Sequence, residues 1–71
     1  MQINARQAEL LLLGDHRFTQ LGFSMMVTRL KVLYAKEPSR EVLMKAVGEI
    51  NAFLGKFKNL MANDIKTITD L

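Results

Sequence analysis

The sequence has no cysteine, no tryptophan, one proline and one histidine among 71 residues. Lack of cysteine rules out disulfide stapling and fits a reducing compartment, so the expected location is the cytoplasm. A single histidine, His16, with no thiol leaves too few ligands for a protein-only zinc cage. The longest apolar run is Leu10 to Leu13, far below the roughly 20 residues of a membrane helix. It also lacks the basic approach and small-residue exit of a secretory leader. Met1 is what a complete short reading frame would begin with.

Signatures of chemistry are missing as well. There is no phosphate-binding loop and no dinucleotide fingerprint. No serine or cysteine motif supplies a nucleophile. The carboxylates Glu9, Asp15, Glu37, Glu41, Glu49, Asp64 and Asp70 include no Glu-x-x-His pair of the kind that builds a helical di-metal centre. Asp15 precedes His16 directly, and adjacent helical residues do not face each other. These absences predict a protein that is not an enzyme, with no cofactor, no metal, no small-molecule substrate and no membrane association.

What is present points to helix. Leu, Ala, Met, Lys, Glu, Gln and Arg dominate, and neither Asn-Gly nor Asp-Gly marks a hairpin turn. The expected fold class is all-α, one small domain over residues 1–71. A chain of this length buries only about 60% of its unfolded surface. With 49% hydrophobic residues and no staple, support from another chain is expected.

In the second half Leu43, Val47, Ile50, Leu54, Phe57, Met61 and Ile68 form a heptad-like apolar seam. Ser39 is placed to cap this helix and Glu41 stands in its first turn. Pro38 just before them stops a helix from running backwards. Lys45, Gly48, Ala52, Lys56, Asn59 and Asn63 make the opposite face. Beyond about Asn63 the helix is expected to fray, with Asp64 marking the end of the packed seam.

In the first half Leu11, Gly14, Phe18, Leu21, Met25, Thr28, Val32 and Ala35 keep the same spacing. An antiparallel hairpin turning at Pro38 would set Val32 opposite Leu43, Met25 opposite Ile50, Leu21 opposite Leu54, Phe18 opposite Phe57 and Gly14 opposite Met61. Two architectures remain open. In one, a single long helix over residues 3–36 pairs with the second as a two-helix hairpin. In the other, Gly14 ends a first helix and Asp15 caps a second, giving a three-helix bundle.

A second apolar stripe occupies another face of the first half: Leu12, Phe23, Met26, Val27, Leu30, Leu33 and Tyr34. A hairpin cannot cover both faces, so these residues are the expected partner or dimer interface, closing a four-helix-type bundle; in the three-helix architecture the short first helix with Leu10 to Leu13 could cover part of the stripe instead. Between His16 and Lys36 the chain has Arg17, Arg29, Lys31 and Lys36 and no acid. That run reads either as a solvated face or as a contact surface for an acidic partner or a nucleic acid. The resulting expectation is a non-enzymatic protein-interaction module, a homodimer or the small member of a hetero-complex. The alternative is a small nucleic-acid-binding regulator using the basic 16–36 segment.

Overall fold

The computed structural model describes residues 1–56 and 60–71. Among them the chain forms four helices and no strand: α1 (Ala5–Leu13), α2 (Leu21–Lys36), α3 (Arg40–Lys56) and α4 (Ala62–Thr69). The longest molecular extent is 31 Å. An unbroken helix over residues 3–36 would span roughly 50 Å, so the long-helix architecture is ruled out by size alone.

Helix α1 starts on a reciprocal cap. The Asn4 side chain accepts from the Gln7 N–H, and the Gln7 side chain accepts from the Asn4 N–H, both at 2.9 Å. Each satisfies a donor that the first helical turn leaves open. The helix stops at Gly14, whose backbone turns extended at φ −84° and ψ 171° while its N–H still donates to the Leu10 carbonyl. Any φ of that kind suits other residues; the glycine matters for space. A Cβ there would lie 2.8 Å from the Leu10 carbonyl oxygen, closer than a methyl can approach.

The helix therefore breaks at Gly14, but not as the local pattern suggested. Asp15 does not cap α2. Residues 14–20 are non-helical, and Gln20 caps α2 by accepting from the Phe23 N–H at 2.6 Å. An irregular segment of this length erases the helical phase. The seam that ran from Leu11 through Gly14 and Phe18 consequently does not continue into α2.

The phase change reverses the roles of the two faces of α2. Phe23, Val27 and Leu30 point inward and are buried, whereas Leu21, Met25 and Val32 are exposed. Met25 is not opposite Ile50, nor Leu21 opposite Leu54, because Ile50 and Leu54 are buried where Met25 and Leu21 are not. Phe57, the expected partner of Phe18, lies outside the described residues. The core instead joins Ile3, Ala8, Leu11 and Leu12 to Phe23, Val27 and Leu30 and to Ala46, Ile50 and Leu54, with α1, α2 and α3 in mutual contact.

Glu37, Pro38 and Ser39 connect α2 to α3. Ser39 caps α3: its hydroxyl oxygen accepts from the Val42 N–H at 3.2 Å. Phe23 near the start of α2 meets Phe53 near the end of α3, ring centroids 5.3 Å apart. Midway along both helices Arg29 pairs with Glu49. Residue numbers thus fall on one helix as they rise on the other. Phe18 closes against Phe23 edge-to-face at 4.8 Å, a favourable ring geometry.

Two long-range devices fasten the chain ends. Ahead of α1, the Asn51 side chain on α3 accepts from the Ile3 N–H at 2.8 Å and donates to the Ile3 carbonyl at 3.0 Å. The amide acts as a neighbouring peptide group would, and Ile3 is buried as a result. At the other end α4 is a helix where fraying was expected. Ile68 is buried in the core and Leu60 and Leu71 pack beside it. Asp64, four residues before Ile68 and so on the same face, is also buried.

The rotation of α2 has a direct test. Leu30→Ala should cost about 2–5 kcal/mol in chemical denaturation. Val32→Ala, on the opposite face, should cost less than about 0.5 kcal/mol. The reverse ranking would put α2 back in the seam orientation.

Candidate interaction surface

A helix turns about 100° per residue. On α2, Leu21, Met25 and Val32 fall within roughly 40° of one another, diametrically opposite Phe23, Val27 and Leu30. They are 72%, 63% and 55% exposed. Thr28, also exposed, completes the spacing between Met25 and Val32. The result is an apolar ridge along the outer side of α2. Isolated surface hydrophobics are ordinary on soluble proteins; a line of them at heptad spacing is what pairs one helix with another.

The residues expected to form the interface lie elsewhere. Leu12, Phe23, Val27 and Leu30 are buried within the one chain, and Met26 and Tyr34 pack against them half-buried. Leu33 is half-buried. α1 and α3 cover this stripe, so it is core and not an open contact surface. The correction follows from the break at residues 14–20, which lets α1 fold back over the face that a continuous helix would have left bare.

The four cations are placed unequally. Arg29 Nη2 lies 2.8 Å from Glu49 Oε1, the two side chains being 57% and 34% exposed. A pair that open to solvent contributes only about 0.2–1 kcal/mol. Lys31 Nζ donates to the Gly14 carbonyl at 2.8 Å and so tethers α2 to the last turn of α1, where a cation suits the helix dipole. Arg17 and Lys36 are exposed. Lys36 sits in the last turn of α2, one turn beyond Val32 on the ridge side.

The Asp64 carboxylate holds the start of α2. Oδ1 accepts from the Thr19 N–H at 2.8 Å and from the Thr19 hydroxyl at 3.1 Å, and Oδ2 accepts from the Gln20 N–H at 2.9 Å. Asp64 is 0% exposed. It stands in the first turn of α4 and binds the two residues just ahead of α2, so the N-terminal ends of two helices lie beside it. The contact spans more than forty residues of sequence, and local patterning carried no sign of it beyond an acid at an apolar seam position.

The chain matches no protein-family model, no curated protein and no solved structure. Among the described residues no group of His, Cys, Asp or Glu side chains is arranged to hold a metal ion. No described helix is long and apolar enough to cross a membrane.

Among the described residues, the Tyr34 side chain has a shifted pKa. The Tyr34 hydroxyl donates to Glu9 Oε2 at 3.1 Å. That hydrogen bond first, then burial and the Glu9 charge, raise the Tyr34 pKa above its ordinary value. Each favours the neutral phenol in the folded chain. The associated stability is present below about pH 10, the unfolded value, and is lost as pH climbs through the higher folded one. The chain has one tyrosine and no tryptophan, so an ultraviolet titration reads this group alone. Its midpoint should lie above about 10 in the native protein, fall back in denaturant, and fall in Glu9→Gln.

Removing the Asp64 carboxylate should loosen the start of α2. Asp64→Ala leaves the N–H groups of Thr19 and Gln20 without their acceptor, a cost of about 2–4 kcal/mol. Hydrogen exchange at those two amides should accelerate along with the loss of global stability. Unchanged exchange there would mean that the carboxylate does not carry the contact.

Proposed function

We propose that this protein is a non-enzymatic interaction module that offers the outer face of α2 to another protein chain. The observation that carries the reading is the exposed ridge of Leu21, Met25 and Val32. The core below is complete without it, since Phe23, Leu30 and Ile50 are fully buried inside one chain. An apolar row left outside a closed core has no use in the fold, and leaving it in water disfavours solubility. A contact surface gives it one. The expected cytoplasmic setting stays part of this reading.

Binding of nucleic acid by the 16–36 segment draws less support. Arg29 and Lys31 both have partners inside the chain, and phosphate contacts would have to compete with these. The ridge between the cations is apolar and carries no aromatic ring on which a base could stack.

Site-specific photo-crosslinking in cells tests the reading. A photoreactive residue in place of Met25 should give a defined protein adduct. The same residue in place of Ala52, exposed on α3, should not. Equal crosslinking from both positions, or none from either, would refute an interaction role for α2.

A further inference from the structure

We infer that the occupant of the α2 ridge is an acidic amphipathic helix of a different protein, and not a second copy of this chain. The inference rests on the reading of the ridge as a docking face and adds the chemistry of what docks there.

Width and length come first. Leu21, Met25, Thr28 and Val32 follow a 4-3-4 spacing and cover about 16 Å along the axis. That is one helix wide and about three turns long, the imprint left by a helix laid along a helix. Nothing else among the described residues crosses it, as the exposures of Leu21, Met25 and Val32 show.

Charge selects the partner. Along α2 the charged residues are Arg29, Lys31 and Lys36, with no acid. Arg29 is four residues after Met25 and three before Val32, so it borders the ridge at its middle. Lys36 borders its far end. Glu49 from α3 offsets Arg29 in part, and Lys36 has no such neighbour among the described ion pairs. Arg29 and Lys36 share one edge of the ridge and Lys31 stands on the other, so a parallel two-fold pairing of α2 with its own copy would set cation against cation across the contact. Like charges across a contact select against that pairing. Acidic side chains flanking the apolar row of a partner helix would meet Arg29 and Lys36 with the opposite sign.

Area points the same way. Stable dimers bury about 1,200–2,000 Å², and a ridge three side chains long supplies only part of that. The surface suits a reversible contact with a helical segment, in which the edge charges set the approach and the choice of partner.

The full chain should be titrated with two three-heptad helical peptides that share leucine at the seam positions. One carries glutamate at the flanking positions, which also keeps it from pairing with itself; the other carries lysine. Fluorescence anisotropy should show binding of the glutamate peptide, with the lysine peptide at least about tenfold weaker. Lys36→Gln should weaken the glutamate peptide about two- to fivefold, and high salt should weaken it further. Met25→Ser combined with Val32→Ser should abolish binding while leaving the unfolding midpoint in place, which separates a lost contact from a lost fold. Equal binding of both peptides overturns the acidic assignment and leaves the docking face standing. Self-association in sedimentation equilibrium that disappears in Met25→Glu gives the ridge to a second copy, again overturning this inference alone. Tighter binding to a DNA duplex than to the glutamate peptide gives the cations to nucleic acid and overturns it too. Binding of neither peptide, with no self-association, overturns both this inference and the docking face beneath it.

Discussion

The Asp64 carboxylate, withdrawn from water, ties α4 to the irregular segment between α1 and α2. It accepts the N–H groups of Thr19 and Gln20 and the Thr19 hydroxyl. Those donors sit at the point where the chain leaves its excursion and starts α2. Gln20, whose N–H is held this way, uses its own side chain to cap the helix at Phe23. Through that step the carboxylate helps determine where α2 begins and therefore which of its faces turns inward. A buried charge without such donors would be strongly disfavoured. Here three hydrogen bonds hold it, and the N-terminal ends of two helices lie beside it. The same arrangement draws Ile68 onto the core, since one face of a short helix carries both residues.

The orientation of α2 has consequences for both halves of the molecule. Inward, Phe23 sits between Phe18 and Phe53, and Val27 and Leu30 meet the leucines of α1. The core closes without a second chain, although a domain this small has little apolar area to spare. Outward, the rotation leaves Leu21, Met25 and Val32 in water. One helix with two apolar faces can bury only one of them in a bundle of this kind. The other stays exposed with Arg29 and Lys36 beside it, and it is this face that the proposed docking of an acidic helix would use. The internal bonds of Arg29 and Lys31 serve the fold as well: one links α2 to α3 and the other α2 to α1.

Several features of the fold were legible in local sequence. Helix class followed from composition. The stop before α3 followed from Pro38, and its start from Ser39 and Glu41. The outer face of α3, with Lys45, Gly48, Ala52 and Lys56, is exposed as its spacing implied. These are effects between residues a few positions apart, where helical geometry is nearly fixed. The two apolar stripes of α2 were also legible, each with its membership. Which of them faces the core was not.

That choice belongs to tertiary structure. A continuous seam assumes unbroken helix, and seven residues of irregular backbone between α1 and α2 reset the phase by an amount that local sequence does not encode. Gly14 showed that a break was possible; its extent depends on Asp64, which lies more than forty residues away. The peptide-like clasp of Asn51 on Ile3 is equally remote. The sequence by itself determined that the chain is helical, where α3 starts and that α2 is apolar on two sides. Long-range hydrogen bonds decided which side became core and which became surface, because each stripe taken alone satisfies the same helical periodicity.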